Sequence, residues 1–354
     1  MAIISDDEGL GKRVKKNPII KPETIEYDNT FENSIRPKDF DSYIGQGALK
    51  ETLKITLEAA KKRGKPLDHL LFYGPPGLGK TTIAGVIASQ MGVEIRITSA
   101  PALERPRDII GILMSLKGGE ILFIDEIHRL NKVAEEILYP AMEDFTLDMT
   151  TGKSQTAKTL RVPLPKFTLI GATTKAGELS SPLRDRFGMI HRLEFYTVEE
   201  LAQVVMRTAK ILETEVTEEG AKAIAMRSRG TPRIANRLVK RVSDFALVKY
   251  DGVIDKKVAN ESLDILKIDE FGLDNTDRNL LNLIIEKYDG GPVGIETIAA
   301  ALSEDVRTIE DVCEPYLLQA GLLQRTPRGR KVSPEGYRHL GIKMPSEQRR
   351  LFED

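Results

Sequence analysis

A single cysteine, Cys313, stands in 354 residues. One thiol excludes an internal disulfide framework and any multi-cysteine zinc site, and suits a reducing cytosol. Its neighbours Ile309, Val312 and Leu317 predict a packed core thiol rather than a nucleophile. Long apolar runs are also missing, none approaching the roughly 20 residues of a membrane span. Met1 to Leu10 carries acids where a secretory signal would begin with bases. A soluble, cytoplasmic protein with no membrane partner is expected. Net charge is nearly nil, 52 Lys and Arg against 53 Asp and Glu for a total of -1, so any nucleic-acid contact must come from local basic patches. What the chain has is length enough for two or three domains, and 41% apolar residues to fill them.

The most informative stretch is Gly74-Pro75-Pro76-Gly77-Leu78-Gly79-Lys80-Thr81-Thr82, between the apolar run His69 to Tyr73 and the apolar segment Ile83 to Ala88. Strand, loop and helix in that order, with Gly74, Gly79, Lys80 and Thr81 at P-loop spacing, read as a phosphate cradle. Small residues let backbone N–H groups curl around phosphate oxygens. Lys80 then reaches the β- and γ-phosphates, Thr81 supplies a hydroxyl for Mg²⁺, and the helix directs its positive end at the same anion. ATP or ADP with Mg²⁺ is the expected ligand.

Residues 1–30 mix charge, Pro and Asn without apolar periodicity and read as a disordered tail. Ile35-Arg36-Pro37, Phe40, Tyr43 and Ile44 precede Gly45 and an amphipathic helix through Leu49, Leu53, Ile55 and Leu57. The next helix stops at Gly92, Val93 to Ile97 alternates like a strand, and Arg107 to Leu116 reads as a helix. Glu120 to His128 is an apolar strand ending in Asp125-Glu126. Beside a P-loop, the first acid holds Mg²⁺ and the second polarises the attacking water. His128 is either a neutral histidine bonded at a helix start or a catalytic one. Phe167 to Thr174 is a further buried strand whose polar end places Thr174 near the γ-phosphate or the water. Strands alternating with helices predict a parallel sheet that binds its ligand at the carboxyl ends of the strands. In Ser181 to Gly188, Arg184 and Arg186 flank Asp185, which by itself reads as a surface salt bridge.

From Thr197 the pattern changes. Thr197 to Glu200 is a capping box, and helices continue without strand signal to about Lys267. Pro232 opens one of them. Arg233 follows at a helix start, where a cation gains nothing from the dipole, so a compensating anion is expected. Beyond Asp269, three helices precede a hairpin over Leu322 to Val332, the order of a winged helix. Four of the seven residues from Arg325 to Lys331 are cationic, which predicts phosphate contact largely independent of base sequence.

These pieces, GPPGLGKTT at 74–82, LFIDEIHRL at 122–130, LYPAMEDF at 138–145, SPLRDRFG at 181–188, RGTPRIANRL at 229–238 and GLLQRTPRGR at 321–330, closely resemble the RuvB family of AAA+ ATPases. The resemblance runs from about Arg36 to Gly341. It implies an α/β AAA+ core with a parallel sheet (31–196), a small all-helical lid (197–267) and a C-terminal winged-helix head (268–345), between tails at 1–30 and 346–354. It also implies a hexameric motor of Holliday junction branch migration that works with RuvA, with RuvC as a further candidate partner. Lys80, Asp125, Glu126, Thr174 and Arg186 are then the catalytic set, with Thr81 and Asp125 on Mg²⁺. Arg186 matches the arginine finger that enters a neighbouring subunit, Thr174 the first sensor and Arg233 the second. Ile35, Arg36, Tyr43, Ile44 and Tyr196 fall where the family surrounds the adenine; Gly77, Gly79, Lys80, Thr81 and Thr82 hold the phosphates. Glu143, Asp144 and Phe145 match a nucleotide-contact segment, and Arg325, Arg328 and Arg330 the DNA-contacting head. One departure is the stretch Met149 to Thr156, mostly polar where the family presents aliphatic residues to RuvA; a weaker or differently built contact follows. A nucleotide-switched DNA-binding protein of the initiator type also joins such a core to a winged helix and is the alternative. A small-molecule kinase is poorly supported, since no lid or acceptor pocket for one is evident.

Overall fold

The structure, a computed structural model, describes residues 34–151 and 158–344. The expected tails, 1–30 and 346–354, lie outside the described residues, as does 152–156 of the polar stretch. The chain divides into two units, Met1–Arg36 and Pro37–Asp354, and every element below belongs to the second.

Three strands, β1 (Leu70–Tyr73), β2 (Ile95–Ser99) and β3 (Ile121–Asp125), are followed by an antiparallel hairpin, β4 (Thr146–Thr151) and β5 (Lys158–Pro163), then by β6 (Thr168–Thr173) and β7 (Met189–Arg192). All except the hairpin form one parallel sheet in the order β2-β3-β6-β1-β7. Successive side chains of a strand point to opposite faces. Leu70, Phe72, Phe123 and Ile170 accordingly enter one core, and Leu71, Leu122, Ile124 and Leu169 the other. A sheet buried on both sides explains why these strands read as continuous apolar runs.

Helices α1 (Gly47–Arg63), α2 (Lys80–Met91), α3 (Pro106–Ser115), α4 (Lys132–Glu143) and the single turn α5 (Ser181–Arg184) complete this part. In α1, Leu49, Leu53 and Leu57 are buried. Ile55, expected on the same face, is 65% exposed, because two residues advance the helix by roughly 200°. The first core continues through Tyr43 and Tyr196 to Leu201 and Val205 of the next domain.

That domain comprises α6 (Val198–Ile211), α7 (Glu218–Met226), α8 (Pro232–Lys249) and α9 (Lys256–Ile265). The capping box is present, Thr197 Oγ1 accepting from Glu200 N–H and Glu200 Oε2 from Thr197 N–H. Two short strands that carry no sequence signal, β8 (Glu215–Val216) and β9 (Val253–Ile254), pair in parallel among these helices.

The third domain packs α10 (Asn275–Tyr288), α11 (Ile295–Leu302) and a third helix against the antiparallel pair β10 (Leu323–Thr326) and β11 (Gly329–Val332). The third helix is composite: Val306–Thr308 leads into a π turn, Ile309–Cys313, and then Glu314–Gln319. Cys313 is buried with Ile309 and Leu317, as expected, and its burial pushes the thiol up to about 12. Val312 faces outward instead. Among the described residues no helix is long and apolar enough to cross a membrane.

Candidate nucleotide site and DNA-facing head

Strand order decides what meets at the sheet's carboxyl edge. β6 lies between β1 and β3, with Tyr73 level with Thr173 and Ile124 level with Gly171. The loop after β1, the acids ending β3 and Thr174 after β6 are therefore neighbours although about 50 residues separate each from the next.

Gly74, Gly77 and Gly79 have φ of 139°, 81° and 95°, a region that costs a side chain strain and glycine little. Lys80 is 7% exposed, and its Nζ donates to the carbonyls of Gly74 at 2.8 Å and Pro75 at 3.0 Å. Burial lowers its pKa to about 8, opposed by the charges of Glu126 and Asp125 and assisted by that of Arg233. Thr81 and Thr82, half-buried, follow in the first turn of α2. Burial raises the Asp125 carboxyl above its ordinary range; its Oδ1 accepts from Glu126 N–H at 3.0 Å. Glu126 stands in the left-handed region, φ 47°. Its Oε2 accepts from Thr174 N–H at 3.2 Å and Thr174 Oγ1 at 3.1 Å. A hard cation that keeps several waters needs only one or two protein oxygens beside substrate phosphates. Thr81 and Asp125 fit that demand.

The adjacent wall comes from two distant segments. Tyr196 Oη lies 3.3 Å from Tyr43 Oη and 3.4 Å from the Leu78 carbonyl, and burial raises both phenols above their ordinary range. Ile44 is half-buried beside them. Gly45, at φ 79°, allows this approach, since a Cβ there would lie 2.4 Å from Tyr196 Cε1. Gln46 fixes the far segment by exchanging hydrogen bonds with the backbone of Glu194 at 2.7 and 3.1 Å. Neither residue stood out in the sequence, although a glycine between an aromatic residue and a helix is a usable signal of close approach. Ile35 and Arg36 fall in the first unit.

Arg233 reaches this edge from the lid. Its backbone N–H donates to the Gly77 carbonyl at 3.4 Å, and a Cβ on Gly77 would be 3.2 Å from Arg233 Cβ. The first turn of α8 has no acid, and among the described residues Arg233 has no ion pair. The anion expected at this helix start is thus not supplied by those residues.

Arg186 and the segment 143–145 are elsewhere. Phe145 packs against His69, which precedes β1, and Phe167, which precedes β6, with centroids 6.1 and 5.8 Å away. Arg186 comes before β7, its Nη2 3.1 Å from Glu143 Oε1, its Nη1 donating to the Pro182 carbonyl at 2.6 Å and its guanidinium over Tyr139. Glu143, not Asp185, is its acidic partner, and Asp144 is exposed. All these residues occupy the amino-terminal edge of the sheet, opposite the phosphate loop.

In the head, Arg325 and Arg328 are exposed. Arg330 is not: its Nε and Nη2 donate to Glu314 Oε1 and Oε2 at 3.1 and 2.9 Å, with Glu310 Oε1 3.6 Å away. Arg330, expected among the DNA-contacting residues, is directly opposite Arg325 on the pair and shares its face, but its guanidinium is drawn in by the carboxylates of Glu314 and Glu310 on the third helix. Lys331 is buried as well.

The family model described as the Holliday junction DNA helicase RuvB P-loop domain matches residues 35–193, the RuvB AAA lid domain 196–269 and the RuvB C-terminal winged helix domain 270–341. The Holliday junction branch migration complex subunit RuvB of Crocosphaera subtropica is 58% identical over 354 residues, covering 100% of both chains. That of Nostoc punctiforme is 59% identical over 335 residues, 94% of this chain and 92% of the other. Among solved structures, the Thermotoga maritima RuvB Holliday junction branch migration motor aligns with a TM-score of 0.81 at 50% identity, covering 88% of this chain and 100% of that one.

Proposed function

The chain belongs to the RuvB family, and from that membership we propose how its own residues run the ATPase cycle and what they work with. It is a P-loop ATPase and a motor of Holliday junction branch migration, so the initiator reading is dropped. Lys80 binds the β- and γ-phosphates, exchanging the Gly74 and Pro75 carbonyls for phosphate oxygens. Tyr43, Ile44 and Tyr196 enclose the adenine. Mg²⁺, held by Thr81 and Asp125, would neutralise charge developing on the phosphates. Glu126 orients and polarises the attacking water, and Thr174 fixes that carboxylate. Arg233, without an acidic partner among the described residues, meets the γ-phosphate and ties its loss to movement of the lid.

The working assembly we propose is a homo-hexameric ring around duplex DNA, docked on RuvA at the junction. The observation that carries it is the separation of Arg186, Glu143 and Phe145 from the phosphate loop of their own chain. Groups at the amino edge of the sheet can complete a nucleotide site only in a neighbour. Leu160 of β5 is 55% exposed and offers RuvA an aliphatic contact on a hairpin otherwise largely polar. Arg325 and Arg328 carry the DNA phosphates. The test is a synthetic four-way junction incubated with ATP, with and without RuvA. Resolution into two duplexes is expected, faster with RuvA, independent of base sequence and lost in Lys80→Ala; no movement under either condition overturns the reading.

A further inference from the structure

His128 lies on the turn after Glu126, its side chain 7% exposed. Its Nδ1 is 2.9 Å from Thr173 Oγ1 and 3.3 Å from Glu126 Oε2. Thr173 Oγ1 also accepts the backbone N–H of Lys175 at 3.0 Å. On the other side of the ring, Nε2 is 3.8 Å from Glu178 Oε2, beyond hydrogen-bond length. The Thr173 hydroxyl can give or take the hydrogen it shares with Nδ1. An ionised carboxylate only accepts, so the approach to Glu126 is favourable when Nδ1 carries the hydrogen of the ring. Burial holds the imidazole pKa below its ordinary value, so the ring carries a single proton at neutral pH.

Thr174 N–H, Thr174 Oγ1 and His128 Nδ1 all converge on one carboxylate oxygen, Oε2. Among the described residues nothing bonds Oε1. That is the oxygen open to a water. The backbone of Glu126 is in the left-handed region, at a cost of roughly 1–2 kcal/mol for a residue with a side chain. Strain of this kind persists only where surroundings over-determine it.

We propose that His128 is a positioning residue for ATP hydrolysis: in its Nδ1–H form the ring, bonded to Thr173 Oγ1 and 3.3 Å from Glu126 Oε2, holds the glutamate so that Oε1 faces the attacking water. The inference rests on the reading of Glu126 as the water-polarising group. It assigns the imidazole a task that a histidine merely filling the turn would not have.

The test uses the full chain with four-way junction DNA. His128→Ala should lower kcat by about 10²-fold, the order expected when a reacting group shifts by about 1 Å, while KM and the affinity for a non-hydrolysable ATP analogue stay within about twofold. His128→Asn, whose amide nitrogen occupies the place of Nδ1, should recover most of the rate, and His128→Gln should not. In a Glu126→Gln background, His128→Ala should add nothing, because the two act as one unit. The imidazole ¹⁵N spectrum of the unmodified protein, assigned by loss of one of four histidine signals in His128→Asn, should show the neutral Nδ1–H tautomer. Equal impairment of the Ala and Asn variants, nucleotide affinity falling in step with rate, additive effects, or an Nε2–H tautomer would each overturn the proposal. Should His128→Ala fail to fold, the Asn and Gln variants and the spectrum decide. The premise fails separately: if Glu126→Gln keeps its activity, the glutamate reading is wrong, whereas an inactive Glu126→Gln beside an active His128→Ala sinks only the role of His128.

Discussion

Arg229 Nη2 lies 2.5 Å from Asp277 Oδ2, joining the loop before α8 to the first helix of the head. Arg229 also donates from Nε to the Gly272 carbonyl at 2.6 Å, pairs with Asp274 at 3.2 Å and sits over the Tyr316 ring. Four residues later comes Arg233. The loop that leads into α8 and Arg233 is thereby fastened to the domain that carries the exposed Arg325 and Arg328, and if Arg233 senses the nucleotide as proposed, this joint is the route by which the lid would move the head. Asp277 is 1% exposed, and its Oδ1 has no partner among the described residues.

A pH dependence follows. Burial raises the Asp277 carboxyl from 3.8 to about 6, against the pull of Arg229. Between those values the folded protein binds a proton that the unfolded chain does not. The group's contribution to stability is therefore complete below pH 3.8 and is lost as pH rises through about 6, at up to about 1.4 kcal/mol per pH unit. Thermal unfolding of the protein and of Asp277→Asn should be compared from pH 7 to pH 4.5. The difference should move in favour of the unsubstituted protein as pH falls; movement in the other direction would show that Asp277 stays ionised.

Arg186 should act across a subunit boundary. Its replacement by Ala should lower turnover by about 10³ to 10⁵, the range of arginine fingers in related P-loop enzymes, with ATP affinity retained. Mixed assemblies of Arg186→Ala and Lys80→Ala subunits should regain part of the activity, because some interfaces then join an intact Lys80 to an intact Arg186. An unbroken lack of activity across all mixing ratios counts against a shared site.

The cations of the wing should separate into two classes. Arg325→Ala and Arg328→Ala should each flatten the log–log salt dependence of DNA binding by about 0.9 per lost phosphate contact. Arg330→Ala should instead strand the buried Glu314 and cost about 3–5 kcal/mol of head stability. Glu314→Gln is the control. If Arg330→Ala leaves the melting temperature intact and changes only the salt slope, Arg330 contacts DNA instead of bracing the wing.

Gly45→Ala tests the adenine wall. A Cβ meeting the Tyr196 ring at 2.4 Å, at a φ of 79°, should cost roughly 1–2 kcal/mol in backbone strain and displace the ring. Titration with a fluorescent ATP analogue should show weaker binding. Unchanged affinity would remove Tyr196 from the base pocket.

Much of this site is legible from local pattern. A glycine-rich loop after an apolar strand, or two acids at the end of another, requires only neighbouring residues to adopt the right backbone, so Lys80, Thr81, Asp125 and Glu126 declare themselves. The expected α1 face holds at Leu49, Leu53 and Leu57 and fails at Ile55, because helical periodicity resolves a face only when every residue is placed on the wheel. The pair β8 and β9 leaves no mark in the sequence, because two-residue strands hold together by packing between helices, not by a run of their own.

The chain of amino acids by itself determined the chemistry: a phosphate loop, an acidic strand end, a capped helical segment and a basic hairpin, each specified by residues within about ten positions of one another. Tertiary structure alone decided which of these groups meet. Placing β6 between β1 and β3 brings Thr173, Thr174 and His128 around Glu126, Arg229 finds Asp277 across 48 positions, and Arg330 turns inward to Glu314 while Arg325 stays in solvent. Such contacts depend on strand order and on which charges the packing buries, and neither is encoded in the spacing of nearby residues.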